Sequence, residues 1–357
     1  MLHTEIAIIG GGPAGMSAAI AAAGQGARVT LFDRGKRMGG QLVKQTHRFF
    51  GSEKEYAGIR GIDIAKILYE NVESNKLIDV KTDTTVLAIY SDGVITYEEG
   101  KCYRRMTAEK TIIAAGASEK MLLFENNDLP GVYGAGAVQT LMNEHLIVPG
   151  NNVLMVGAGN IGLIVSYQLM QAGVKVKAII DAAPKIGGYL VHASKVRRLG
   201  IPILTSHTIK KALGDEYVEG AIISELDEKW KSIPGTDKKL DVDIVCLAVG
   251  LSPQSELLRH TGCEMKYVPS LGGYVPLRDE NLQTTAAGFY VAGDAAEIEE
   301  ASSAMVEGTI AGLSAAESLG YGKNIMEIKN RFKKDLDVLR SGSVGEKIKS
   351  GLKVLSC

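Results

Sequence analysis

Apolar residues in this chain gather in short runs that end in glycine or alanine, with stretches of helical periodicity between them. Runs of this length, bounded by turn residues and rich in Ile and Val, predict buried strands of a parallel sheet. The first, Glu5-Ile6-Ala7-Ile8-Ile9, passes directly into Gly10-Gly11-Gly12-Pro13-Ala14-Gly15. An alanine-rich helix over 16–23, Gly24 and a second strand over 28–32 follow, and that strand ends in Asp33 beside Arg34. The whole order then returns. A strand over 152–156 leads into Gly157-Ala158-Gly159-Asn160-Ile161-Gly162, then a helix over 163–171, Gly173, a strand over 174–180 and Asp181. A repeat of that size predicts a second domain.

Further apolar runs end in small residues: Lys110-Thr111-Ile112-Ile113-Ala114-Ala115-Gly116-Ala117, a run over 241–249 ending at Gly250, and Gly288-Phe289-Tyr290-Val291-Ala292-Gly293 followed by Asp294. Residues 202–239 read as a β-hairpin excursion, with turn signals at Gly214-Asp215 and Pro234-Gly235-Thr236-Asp237. From Tyr321 onward lysines alternate with Ile325, Ile328, Phe332, Leu336 and Leu339, the spacing of a helical tail packed on the body or on a partner. The expected fold is α/β, with two Rossmann-like domains, the second inserted in the first. Its parts are 1–120 and 251–320 for one domain, 121–250 for the other, and 321–357 for the tail.

Each glycine-rich turn carries specific chemistry. Gly10 makes the tight turn, Gly12 lets backbone approach a pyrophosphate resting on the helix N-terminus, and Gly15 lets helix and strand pack closely. Asp33 and Asp181 fall at the spacing where a carboxylate accepts hydrogen bonds from a ribose. A lone glycine motif is weak evidence; strand, helix, second strand and acid in register, twice, predict two dinucleotide sites. Asp181 suits a free 2′-hydroxyl and repels a 2′-phosphate, and Ala182-Ala183-Pro184 supply no arginine clamp. NAD is therefore expected over NADP in the second domain, although Lys185, Lys195, Arg197 and Arg198 lie nearby. FAD is expected in the first. The run ending in Ala115 and Gly116 suits close backbone passage over a ligand, and Asp294 stands where it can bond a ribityl hydroxyl. The helix beyond, near Ala301, offers N–H groups to the pyrimidine edge of a flavin, with Glu299 and Glu300 expected in its first turn.

Composition then removes alternatives. The formal net charge is −1, without the concentrated basic field that a nucleic-acid or anionic-membrane surface requires. No apolar run reaches membrane-spanning length, and a strand begins too early to leave room for a secretory leader, so a cytoplasmic protein is expected. The four cysteines, Cys102, Cys246, Cys263 and Cys357, show no C-x-x-C spacing and no cluster for iron–sulfur or zinc. No metal site is expected.

These motifs carry a family resemblance over the whole chain. It is similar to the two-dinucleotide-domain flavoproteins that include thioredoxin reductase and the pyridine-nucleotide disulfide oxidoreductases, through Gly10–Gly15, Gly39-Gly40-Gln41-Leu42, Thr111–Gly116, Gly157–Gly162, the run over 243–250 and Gly293-Asp294. The resemblance implies FAD contacts at Gly10, Gly12, Pro13, Ala14, Gly15, Asp33, Gly40, Gln41, Val86, Gly116, Gly293 and Asp294. Arg34, Arg48, Ala115 and Ala301 join that set, with Gly157, Gly159, Asn160, Ile161, Asp181 and Gly250 for the nicotinamide nucleotide.

The chain departs from the disulfide-reducing members at Pro130-Gly131-Val132-Tyr133-Gly134-Ala135-Gly136-Ala137-Val138-Gln139, where thioredoxin reductases carry a thiol pair and this chain has none. It more closely resembles the thiol-free electron-transfer subunit of heteromeric amine and amino-acid dehydrogenases: dye-linked proline dehydrogenase, sarcosine oxidase (α subunit), opine oxidase and hydrogen cyanide synthase. The resemblance runs through Thr46-His47-Arg48-Phe49-Phe50-Gly51, Gly187-Gly188-Tyr189 with His192, and the segment from Gly293 through Glu297, Glu299 and Glu300 to Gly308. It implies a partner, a second flavoprotein dehydrogenase subunit, that oxidises an amine, an amino acid or a glycerol-3-phosphate-type substrate. Hydride transfer between nicotinamide and flavin needs little acid–base help, so no side chain is assigned a catalytic role. The alternative is a stand-alone NAD(P)H oxidase, diaphorase or ferredoxin/flavodoxin reductase.

Overall fold

The structure, a computed structural model, describes residues 2–355; Met1, Ser356 and Cys357 lie outside the described residues. It divides into two compact units, Met1–Ser118 with Leu251–Cys357, and Glu119–Gly250.

The first unit is built on one mixed sheet. Its strands run in the order Ile78–Lys81, Val29–Phe32, Leu2–Ile9, Cys102–Ile113, Val94–Glu99, Thr84–Ile89, with Phe289–Val291 also beside Cys102–Ile113. Cys102–Ile113 serves two roles. Its later half pairs parallel with Leu2–Ile9 and with Phe289–Val291, while its first half pairs antiparallel with Val94–Glu99. The burial follows: Ile112 and Ile113 are fully buried, whereas residues 102–105 are exposed.

Two helices cover one face with a seam of small residues. Pro13–Gly24 lies against Ala301–Ser318, and a Cβ at Gly308 or Gly312 would overlap the carbonyl oxygens of Ala14 and Ala18. Backbone meets backbone there because neither side carries bulk. The tail forms two helices, Ile325–Leu339 and Gly342–Lys353, broken at Arg340 and Ser341. Leu336, Phe332 and Leu339 pack on the main core. Ile348 and Leu355 pack on Val268, Leu271 and Val275 of a small hairpin, Met265–Val268 with Gly273–Pro276. The tail thus lies on the body of its own unit.

The second unit has a five-stranded parallel sheet, ordered Ile203–Thr205, Lys175–Asp181, Asn152–Val156, Ile244–Leu247, Val132–Gly134. The excursion expected as a hairpin is instead three-stranded. His207–Leu213, Gly220–Glu225 and Lys238–Leu240 are antiparallel, because the chain after the Pro234–Asp237 turn returns to pair Leu240 with Ala221. Ile209, Ala212, Ala221 and Ile223 bury one face of it.

Candidate dinucleotide sites

The two glycine-rich turns are wired alike. In the first unit Gly10 N–H donates to the Phe32 carbonyl at 2.8 Å; in the second Gly157 N–H donates to the Ile180 carbonyl at 2.7 Å. Gly10 and Gly157 have φ of +108° and +113°, a region open to glycine at little cost. A Cβ at either would run into a carbonyl of the neighbouring strand, Ala114 or Ala248. Gly15 and Gly162, each five positions on, sit against the carbonyls of Gly10 and Gly157.

Both acids close the same circuit. Asp33 accepts from Gly11 N–H through Oδ2 and from Gly35 N–H through Oδ1, both at 2.6 Å. Asp181 accepts from Ala158 N–H at 2.7 Å and Ala183 N–H at 2.8 Å. Each carboxylate therefore fixes the glycine turn to the end of the second strand. An ionised carboxylate has about four acceptor positions, so roughly two remain for ribose hydroxyls. Above each turn there is room: a Cβ on Gly159 would meet nothing within 4 Å, and one on Gly12 only the Gly40 Cα at 3.9 Å. An open cradle, a helix start and a carboxylate with spare acceptors fit the diphosphate and ribose of a dinucleotide.

A second loop walls each cradle. Gly39 N–H donates to the Gly11 carbonyl at 2.8 Å, and Gly188 N–H to the equivalent Ala158 carbonyl at 3.0 Å. Tyr189 N–H also donates to Asn160 Oδ1 at 2.8 Å. The structure thus gathers Gly10, Gly12, Pro13, Ala14, Gly15, Asp33 and Gly40 in one place and Gly157, Gly159, Asn160 and Asp181 in another.

Ile161 is 40% exposed at its helix start, and Arg34 and Gln41 are exposed. Val86 lies on the edge strand Thr84–Ile89 at a register shift, and that strand begins with Thr84 N–H donating to the Asp33 carbonyl at 3.0 Å. Such a bulge on an edge frees backbone groups for a ligand. Ala115 and Gly116 continue from Cys102–Ile113, with Gln254 N–H bonding the Gly116 carbonyl at 2.9 Å. The Gly250 carbonyl accepts from Lys120 N–H at 3.0 Å. Arg48 donates through Nη1 to the Gly58 carbonyl of its own loop at 2.9 Å. Gly293 approaches Ala14, and the long helix begins at Ala301.

Glu299 and Glu300 do not open that helix as expected. Glu300 is its cap position and Glu299 precedes it, turned instead toward Arg340. Burial, with the negative charges of Glu307 and Glu299 nearby, pushes the Asp294 carboxyl up to about 7, the bond from the Glu299 N–H only partly opposing this. Beneath it lies a set the sequence reading missed: Glu297, Glu299 and Glu307 with Arg278 and Arg340. A signal existed in Glu307, an acid in the middle of a helix made mostly of small and apolar residues that must bury one face.

At the stretch over 130–139, where the resemblance to disulfide reductases implies a thiol pair, a carboxylate is seated. Glu119 accepts from Gly136 N–H at 2.6 Å and Ala137 N–H at 3.2 Å, capping the helix Ala135–Asn143. A side chain at Gly134 would collide with it. Among the described residues Cys246 and Cys263 are buried and Cys102 exposed; burial raises the thiol pKa of both buried ones, which keeps them protonated and unreactive.

The sequence pattern of the pyridine nucleotide-disulphide oxidoreductase family matches residues 4–308. Among curated proteins, the chain is 29% identical over 339 residues to an opine oxidase subunit of Agrobacterium tumefaciens, covering 88% of this chain and 66% of that one. It is 25% identical over 345 residues to the HcnB subunit of hydrogen cyanide synthase from Pseudomonas protegens, covering 91% and 72%. The chain thus spans about two thirds of the first relative's length. Among solved structures, L-proline dehydrogenase from P. horikoshii superposes with a TM-score of 0.71 at 22% identity, covering 94% of this chain and 59% of that one. Thioredoxin reductase of T. acidophilum gives 0.73 at 22%, covering 89% and 99%. These two likenesses establish the fold. No helix among the described residues is long and apolar enough to cross a membrane. The chain belongs to the pyridine nucleotide-disulphide oxidoreductase family, and within it is an oxidoreductase that uses FAD and a nicotinamide nucleotide.

Proposed function

We propose that the chain passes a hydride between NAD(H), held by the Gly157–Gly162 turn and Asp181, and FAD, held by the Gly10–Gly15 turn, Asp33 and the Gly293-Asp294 turn. In this role it is the electron-transfer subunit of a multi-subunit amine or amino-acid dehydrogenase, or of a glycerol-3-phosphate-type one, whose substrate is oxidised on a second flavoprotein. The observation that carries the reading is the pair of identically wired turns, combined with Glu119 at the helix start where a thiol pair would be needed for disulfide reduction. The names of the curated relatives support the subunit role, since opine oxidase, hydrogen cyanide synthase and sarcosine oxidase relatives are each named as one subunit.

The bound flavin and nicotinamide supply the redox chemistry itself. The residues of the chain bind and orient: the glycine turns admit the diphosphates, and the two aspartates take the riboses. A carboxylate at Asp181, held by two backbone N–H groups, favours a ribose 2′-hydroxyl over a 2′-phosphate.

Anaerobic titration of the purified yellow protein, with NADH and then with NADPH, tests the reading. NADH is expected to bleach the flavin band stoichiometrically, at concentrations where NADPH does not. No bleaching by either would sink the hydride-transfer reading; bleaching by NADPH alone would overturn the argument from Asp181. Co-purification tests the subunit role. A stable complex with a second flavoprotein supports it, and full turnover of NADH with oxygen by the isolated chain favours a stand-alone oxidase.

A further inference from the structure

The buried charges beneath the Gly293-Asp294 turn have no part in the binding described so far. Glu297 and Glu307 are each 1% exposed and Arg340 is 7% exposed. Arg278 donates to Glu297, and also toward the carbonyls of Pro276 and Ala296. Among the described residues, Arg340 is the one group that touches all three carboxylates. Its Nη2 reaches Glu297, Glu299 at 2.6 Å and Glu307 at 2.6 Å, and its Nε reaches Glu299 at 2.9 Å. The three acids lie close enough together to suggest a cation site, but the guanidinium already stands among them and supplies the positive charge. Buried carboxylates of this kind persist only when paired and hydrogen-bonded.

The connectivity gives the cluster a direction. Glu307 spends its second oxygen on the backbone, accepting from Gly293 N–H at 3.0 Å. Gly293 immediately precedes Asp294 and starts the short helical turn Gly293–Ala295. Arg340 itself comes from far along the chain, at the end of the tail helix Ile325–Leu339. A continuous line of ion pair and hydrogen bond therefore runs from the tail, through Glu307, to the turn that carries Asp294.

We infer that Arg340 is a positioning residue for the flavin site: it holds Glu307 in place for Gly293 N–H, and so makes the C-terminal tail part of the flavin-binding unit. The inference rests on the reading of Gly293-Asp294 as a flavin contact. Without the guanidinium, Arg278 pairs with Glu297, and Glu299 and the buried Glu307 lose their ion-pair partner. Glu307 then loses its anchor, and the turn loses the acceptor that fixes it. The uncompensated negative charge near the flavin also makes its reduction harder, since local charge tunes a cofactor's potential.

The test uses the full-length holoprotein with Arg340→Met and Arg340→Lys, reading three quantities: FAD affinity by reconstitution of apoprotein, the flavin midpoint potential, and apoprotein melting. Arg340→Met is expected to weaken FAD binding about tenfold or more, the scale of a lost charged hydrogen bond, and to lower the midpoint potential. Arg340→Lys keeps the charge without the fork, and should restore the potential while recovering only part of the affinity. An arginine that merely braces the tail would lower apoprotein melting in both variants and leave the potential of both unchanged; that result overturns the inference. So does an affinity within about twofold of wild type for Arg340→Met. Should Arg340→Met fail to fold, Arg340→Lys decides: reduced affinity at wild-type apoprotein melting supports the inference, and unchanged affinity overturns it. A wild-type chain that takes up no FAD would fail at the first step, and that failure belongs to the underlying cofactor reading, which would fall together with the inference.

Discussion

At the scale of single residues, the acids do two things at once. The places of Asp33 and Asp181 at the ends of their second strands were legible from spacing alone, because the glycine-turn pattern sets an acid at that distance. Their bonds to Gly11 and Ala158 were not, since a linear reading does not say which backbone N–H a carboxylate will meet. Glu307 and Arg340 were hidden for a different reason: their partners are distant in sequence, and an acid's need for a buried cation does not name the cation. Asp294 gives a prediction at this scale. Its carboxyl is held up at about 7 by burial, so the folded apoprotein keeps a proton that the unfolded chain releases near its ordinary value of 3.8. Stability from this group is complete below that ordinary value and is lost as pH rises through about 7. Wild-type apoprotein should therefore lose melting temperature relative to Asp294→Asn between about pH 5 and about pH 8. Parallel melting curves for the two proteins across that range would refute this.

At the scale of elements, pattern and period placed the strands and both fingerprint helices, because buried parallel strands are nearly all apolar and end at glycine. The three-stranded excursion was misread as a hairpin, because Lys238–Leu240 is short, largely polar and exposed, and carries no alternating signal. The seam between Pro13–Gly24 and Ala301–Ser318 was also silent, as small residues satisfy helix propensity whether or not another backbone lies on them. Gly312 shows how tight that seam is, since its missing Cβ would overlap the Ala18 carbonyl oxygen. Gly312→Val is expected to destabilise the protein by about 2 kcal/mol or more, through overpacking. Gly24→Ala, where the added carbon meets open space, should cost nothing and serves as the control. Chemical denaturation of both variants measures the difference, and equal midpoints would show the seam to be compliant.

At the scale of the whole molecule, two units each carry a complete turn-and-acid circuit. The repeat was readable because both copies kept every glycine and the closing acid; the tail's contribution was not, because amphipathic spacing says only that a helix has an apolar side. That duplicated wiring has a pharmacological consequence. FAD and NAD differ in their reactive ends but share an adenosine diphosphate half, and on the proposed function the circuits address that shared half alone. The apoprotein should bind two equivalents of ADP per chain by calorimetry, and Asp181→Ala should reduce this to one. A single equivalent in the wild type would mean that the two circuits, alike in their hydrogen bonds, are unlike in use. If both respond, any adenosine diphosphate fragment is a competitor for two different cofactors at once, and selectivity between the sites must come from what lies beyond the phosphates.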